Sequence, residues 1–276
     1  MEMQQNKVAI LKEAFPASGK PVSVACLICG SESALFDEAE ILRKYKAKYF
    51  RCGECGFIQT EGPYWLEEAY STAIAPQDTG VLFRNLLNRR IVTSVLNLLF
   101  PCAESCLDYG AGHGIFVRLM RDAGFDFRWY DLHATNDYAR GFEHGKGQTY
   151  NFLTSFEVLE HLTNPLAEIS KMMSLSPNIL LTTELVPTAT PRIRDWWYYA
   201  TASGQHISFY TPQAMNLIAA RFGRQLLSRG PYHLFTTKPM SRFLFRLAVS
   251  TRLAAIFAAI RKRKSLVWSD FALVSK

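Results

Sequence analysis

Three glycines spaced by two, Gly110, Gly112 and Gly114, follow Asp108 by two residues, and a second acid, Asp131, lies 23 residues beyond Asp108. Glycines at this spacing let the backbone pass close to a bulky ligand. A dinucleotide-binding turn would need its third glycine at position 115, which is Ile115. Asp108 falls at the C-terminal end of an apolar strand, where open α/β sheets bind ligands. A carboxylate there repels a pyrophosphate and attracts an ammonium or a sulfonium. Asp131 follows the apolar segment Phe127–Tyr130 and precedes Leu132, so its carboxylate can take both hydroxyls of a ribose. Together these residues describe S-adenosylmethionine better than a nicotinamide dinucleotide.

A further match lies downstream. Residues 151–165 run as an apolar strand into Phe156 and Glu157, then a short segment with Glu160 and His161, then Asn164-Pro165, a cap and first position for a helix. The D-x-G-x-G-x-G turn, the acid after the second strand and the Phe156-Glu-Val-Leu-Glu-His161 segment resemble the class I S-adenosylmethionine-dependent methyltransferases over roughly residues 103–237. The resemblance implies a Rossmann-like, mostly parallel sheet with an antiparallel last strand and helices on both faces. It also implies that Asp108 and the Gly110–Gly114 turn hold the methionine end of the cofactor and that Asp131, with Leu132 beside it, binds the ribose. Phe156 and Glu157 would lie along the cofactor. The Glu160-His161 pair reads first as a capping and packing element, with chemistry as the alternative.

The acceptor's proton needs a base. Asp195–Tyr210 holds two of the five tryptophans and three of the twelve tyrosines, with His206 among them. It follows a strand near Pro177–Glu184, on the rim where an acceptor meets the methyl donor. Aromatic side chains there suit a sugar ring or an aromatic acceptor, or serve as a hydrophobic lid. A histidine in such a loop titrates near neutrality and can remove a proton. The segment is similar to the loop of zinc-containing sugar methyltransferases of antibiotic biosynthesis. Where those enzymes carry a His-Glu-His run, this chain has Ser203-Gly204-Gln205-His206.

Four of the six cysteines form two C-x-x-C-G knuckles, Cys26–Gly30 and Cys52–Gly56, separated by 22 residues. Such knuckles present four thiolates to zinc, and four cysteines leave no open position for catalysis. A segment of this size buries too little core to fold unaided, and a structural metal supplies the deficit. Cys102 and Cys106, flanking a strand start, read as packing residues.

These motifs need elements to position them. The sequence divides into a zinc-ribbon-like module over 21–62, a helical linker and cap over 63–102, a core over 103–237 and a basic helical extension over 238–276. A helix is expected over Val81–Phe100, with Leu82, Leu86, Leu87 and Val92 at helical spacing. A compressed helix and third strand, the strand near Tyr138–Phe142, are expected between Asp131 and Asn151. Thr211-Pro212 starts a helix through Ala220.

Composition sets the remaining bounds. The 276 residues, 49% apolar and 20% charged, fit a globular chain. The N-terminal Met1–Lys7 has an acid and no apolar stretch, so a cytoplasmic location is expected. The whole net charge of +7 sits in residues 241–276, where an apolar helix over Phe243–Ile260 precedes Arg261-Lys-Arg-Lys264. That extension either packs on the core or lies on an anionic membrane surface. The rest of the chain is neutral, which argues for a small-molecule acceptor, a sugar or sugar nucleotide among the candidates, and against nucleic acid. A ribosomal RNA methyltransferase using the cysteine module as its grip is the alternative reading. The cysteine module is not basic, and no Asn-Pro-Pro-Tyr-type motif stands where Phe156-Glu-Val-Leu159 does.

Overall fold

A computed structural model describes residues 23–71, 78–261 and 263–275. Met1–Lys7, residues 21–22 of the cysteine module, residues 72–77 of the linker, and the basic Lys262 and Lys276 lie outside the described residues. The first elements are β1 (Ser23–Ala25), β2 (Glu32–Ile41), β3 (Tyr45–Cys52), β4 (Ile58–Thr60), a single turn α1 (Leu66–Ala69) and α2 (Val81–Leu99). Then come β5 (Ser105–Tyr109), α3 (Ile115–Asp122), β6 (Asp126–Tyr130), β7 (Phe152–Phe156), α4 (Pro165–Leu175) and β8 (Asn178–Thr182). The chain ends with β9 (Ser208–Phe209), α5 (Pro212–Arg221), β10 (Gln225–Arg229), β11 (Tyr232–Thr236), α6 (Arg242–Ala248), α7 (Ala254–Ile260) and α8 (Val267–Val274).

Contacts group the described residues into two units, each built from separated stretches of chain. The first comprises residues 23–71, Glu160–Pro165 and Leu185–Leu217; the second comprises 78–159, Leu166–Glu184 and 218–275. Where the sequence suggests four consecutive segments, the segment after β8 instead folds with the cysteine module. The reason is strand pairing: β9 lies antiparallel on β4, with Phe209 opposite Ile58, and completes the sheet β1-β2-β3-β4-β9.

The aromatic segment therefore forms core rather than an open wall. Tyr198 and Tyr199 are buried and pack with Phe209, Tyr49, Ile58 and Trp65. Trp196 meets Tyr199 edge to face at 5.0 Å, while Trp197 projects outward. Trp65 donates its indole N–H to the Gly204 carbonyl at 2.8 Å. A Cβ on Gly204, at φ +67°, would stand 2.7 Å from Ile41 Cγ2, which is why glycine occupies this approach.

The second unit holds a sheet of order β10-β11-β8-β7-β5-β6. β6, β5, β7 and β8 are parallel, and β11 runs antiparallel to β8 and to β10. This is the mostly parallel sheet with helices that the motifs lead one to expect, with one strand fewer. Residues 132–150 form no helix and no strand; they add only a parallel bridge between Trp129 and Glu143. The stretch carries Gly141, Gly145 and Gly147 and no apolar alternation, so it cannot support both a crossover helix and a strand.

Ile91, Val92, Val95 and Leu96 of α2 and Phe116, Val117 and Met120 of α3 pack into one core with the sheet's Phe127, Phe152, Leu180 and Leu234. Leu82, Phe83 and Leu86, at the start of α2, are exposed instead. The single apolar helix expected over Phe243–Ile260 is interrupted at Val249–Leu253, giving α6 and α7, whose Phe245, Ala248 and Ala254 enter the same core. α8 lies within the helical extension expected over 238–276, beyond its basic run. Asp270 in α8 takes a bidentate pair from buried Arg121, at 2.7 and 2.8 Å, and forms an ion pair with Arg118 at 2.8 Å.

Candidate functional site

In the second unit, the parallel register sets Asp108 of β5 opposite Thr154 of β7. Thr154 Oγ1 donates to Asp108 Oδ1 at 2.6 Å, and the carboxyl group is only 4% exposed. Burial pushes its pKa up to about 7, the Thr154 hydrogen bond opposes this, and the charge of Asp131 adds to it. The group therefore sits where a cation would restore its charge.

The turn after β5 is shaped by its glycines. Gly110, Gly112 and Gly114 all adopt positive φ, at 75°, 52° and 86°. A Cβ at Gly110 would meet Val158 Cγ2 at 2.5 Å and one at Gly114 would meet Asn136 Oδ1 at 2.8 Å, whereas a Cβ at Gly112 would meet open space. The turn thus packs on its own unit at its ends and offers bare backbone at its middle, as close approach by a ligand requires.

Asp131 braces that turn. Its Oδ2 accepts from Gly112 N–H at 2.8 Å, and its Oδ1 accepts from His133 and Ala134 N–H at 2.7 and 2.9 Å. Oδ1 is filled by its two donors, while Oδ2, with one, retains acceptor capacity for a ligand hydroxyl. Leu132 is exposed beside it, and Phe156 meets Phe116 edge to face at 5.1 Å.

Glu157, directly after β7, has φ +54°, a strained conformation for a non-glycine residue. Thr182 Oγ1 accepts from its N–H at 3.1 Å and donates to its carboxylate at 2.7 Å. Thr154 and Thr182 were not legible as site residues, because their roles arise from register and not from spacing in the chain.

In the first unit the two knuckles converge. Sulfur separations are 3.6 Å for Cys26–Cys55, 3.4 Å for Cys29–Cys52 and 3.7 Å for Cys29–Cys55. Tetrahedral Zn–S bonds of about 2.3 Å place sulfurs about 3.8 Å apart, so the set fits zinc closely. The knuckle turns close with Gly30 N–H on the Cys26 carbonyl at 2.9 Å and Gly56 N–H on the Cys52 carbonyl at 3.1 Å. Ile28 and Cys55 point backbone N–H groups at Cys26 Sγ and Cys52 Sγ, both at 3.4 Å. A hydrogen bond from Cys55 draws the Cys26 thiol down to about 5, and Cys55 holds its own proton correspondingly tightly.

His206 lies in this unit too. Its Nδ1 is 2.7 Å from the Tyr198 carbonyl oxygen. A carbonyl only accepts, so Nδ1 carries the proton and Nε2 has the free electron pair. The structure also brings Glu160 and His161 to His206, with one donor atom of each within 4.8 Å of the others. The paired spacing Glu160-His161 was the available signal, and its reading as simple packing misses this convergence.

Comparison with known proteins gives one family. A family model described as a methyltransferase domain matches residues 83–229, just over half the chain. Among solved structures, the chain is similar to an O-methyltransferase family protein from Burkholderia thailandensis at 17% identity and TM-score 0.45, covering 62% of this chain and 66% of that one. The aligned part is thus just under two thirds of that protein's length. It is also similar to magnesium protoporphyrin IX methyltransferase from Synechocystis PCC 6803 with bound S-adenosylmethionine, at 14% identity and TM-score 0.39, covering 62% and 87%. A plantazolicin methyltransferase in complex with S-adenosylhomocysteine aligns at 12% identity and TM-score 0.44, covering 66% and 80%. No curated protein sequence matches.

Proposed function

This chain belongs to the methyltransferase-domain family, and we propose that it moves a methyl group from S-adenosylmethionine to a small molecule, a sugar or secondary-metabolite precursor. The observation that carries this reading is Asp108, buried beside a bare glycine turn with no cationic side chain among the described residues bonded to it. When bound, the cofactor supplies a methyl carbon on a sulfonium; the acceptor's electron pair forms the new bond and the S–C pair returns to sulfur. Asp108 holds the ammonium end, Asp131 the ribose hydroxyls, and the bare backbone at Gly112 admits the cofactor. Leu132, Phe156 and Glu157 complete that surface.

His206 handles the acceptor's proton. The Tyr198 carbonyl fixes its tautomer, so that Nε2 is the base. His206→Ala should lower turnover about 10²–10⁴-fold, the usual contribution of a general base. S-adenosylmethionine affinity by calorimetry should stay within twofold. A variant with wild-type turnover on its acceptor makes His206 a structural residue.

The cysteine set is assigned to structural zinc. Closed coordination by Cys26, Cys29, Cys52 and Cys55 leaves no place for an acceptor. RNA is the weaker acceptor, because residues 23–62 carry five basic against six acidic side chains, the wrong balance for gripping phosphates. Peripheral membrane contact belongs to the C-terminal extension, where Trp268, Phe271, Leu273 and Val274 are exposed next to Arg261, Arg263 and Lys264.

A further inference from the structure

We propose that Glu160, His161 and His206 bind one divalent transition-metal cation, at a site distinct from the four cysteines. The first observation is Glu160 itself. It is fully buried, and among the described residues neither carboxylate oxygen has a hydrogen-bond partner. Burying a carboxyl group with both oxygens unbonded is costly, and a cation among its neighbours would compensate it. An ordinary Glu–His hydrogen bond does not explain it, since neither oxygen is bonded.

The second observation is the orientation of the imidazoles. His161 Nδ1 lies 3.1 Å from the Gln205 carbonyl oxygen and 2.9 Å from the Tyr70 hydroxyl, and His206 Nδ1 lies 2.7 Å from the Tyr198 carbonyl oxygen. A carbonyl only accepts, so each ring donates Nδ1–H to one, and Nε2 is the nitrogen that can offer an electron pair to a cation. Metal-ligating histidines are held this way, with the second nitrogen anchored to a carbonyl or carboxylate. The two rings meet edge to face at 4.9 Å.

Backbone fixes the arrangement. Glu160 and His161 lie in a single helical turn, Leu159–His161. Ile207 N–H donates to the Glu160 carbonyl at 2.8 Å and so fastens His206's neighbour to the turn. The three donor atoms, within 4.8 Å of one another, need to close by about an ångström to meet metal–ligand bonds of about 2.0–2.2 Å. Two imidazoles and one carboxylate suit Mn²⁺, Fe²⁺, Co²⁺ or Zn²⁺ and leave positions open for oxygen ligands. This differs from the closed all-sulfur set. Use of the cation in methyl transfer rests on the cofactor reading above and changes one role in it: with the cation bound, His206 would be a ligand instead of the base, and the cation would lower the pKa of an acceptor hydroxyl bound to it. The binding itself does not rest on that reading.

Mn²⁺ tests the site, because it favours nitrogen and oxygen over thiolate. The full chain, with zinc retained in the cysteine site as checked by elemental analysis, is titrated with Mn²⁺ and followed by electron paramagnetic resonance. We expect one Mn²⁺ per chain, and pulsed spectra of the wild-type complex showing two imidazole nitrogens. Glu160→Gln and His206→Ala should each weaken Mn²⁺ binding by more than about 100-fold, beyond the roughly 10–100-fold that loss of a supporting group alone costs. Glu160→Gln should also raise the melting temperature of the cation-free chain while abolishing the rise Mn²⁺ causes in wild type. Asp108→Asn, which removes a cofactor contact in the other unit, should bind Mn²⁺ as wild type does, so failure of the cofactor reading leaves this result intact. A wild-type chain that binds no Mn²⁺, a complex without imidazole coupling, or folded variants with unchanged affinity would overturn the site.

Discussion

Asp108 opposes folding wherever it is ionised. Burial holds its native pKa at about 7 against an ordinary 3.8, so between those values the native state keeps a proton that the unfolded chain has lost. Its contribution to stability is intact below pH 3.8, falls as pH rises through the window, and is fully lost above about 7. Asp108→Asn keeps an acceptor for Thr154 and removes the charge. At pH 8 it should raise stability by on the order of 2–4 kcal/mol, seen as a higher melting temperature by scanning calorimetry. The same change should weaken S-adenosylmethionine binding. In wild type, affinity should fall as pH drops below 7, because binding an ammonium must expel the Asp108 proton; in the asparagine variant it should be flat. A pH-independent wild-type affinity contradicts this role. At this scale, the Asp108–Gly114 turn and the four cysteines are legible because their spacing is local. Thr154 is not, since only the β5–β7 register brings it to Asp108. Glu160 is legible only as half of the Glu160-His161 pair, because its neighbour His206 lies 46 residues on, in a segment that folds with the cysteine module.

Strands and helices were legible where apolar period and caps agree. Thr211 caps α5 by accepting from Ala214 N–H at 3.0 Å, as its position before Pro212 implies. The missing strand over 132–150 and the break between α6 and α7 fail for opposite reasons: one stretch is too polar and glycine-rich to hold the expected elements, the other too uniformly apolar to mark its own turn. α8 depends on a long-range pair, Arg121–Asp270, which no local pattern announces. Under the zinc assignment, the order of the cysteine module depends on its metal. Elemental analysis should show one zinc per chain assigned to this set, and Cys52→Ser should lose it. The variant should also lose protection of β2 and β3 amides from hydrogen exchange while the β5–β8 sheet stays protected. A metal-free chain with intact protection of β2 and β3 would end the zinc assignment.

At the scale of the whole molecule, the parallel sheet followed from the order of its motifs, while the division into two discontinuous units did not. A sequence reads as consecutive segments, and the return of Leu185–Leu217 to the cysteine sheet is decided by β9 pairing with β4 and by aromatic burial around Tyr49 and Tyr199. The account's central claim concerns the other unit: that its glycine turn, bounded by Asp108 and Asp131, is built for S-adenosylmethionine. Isothermal titration of the wild-type chain tests it most directly. The account predicts one-site binding of S-adenosylmethionine and of its demethylated product. Asp131→Ala should weaken it by roughly tenfold or more, the worth of a charge-assisted hydrogen bond. No heat with either compound, together with saturable binding of NAD, would contradict it.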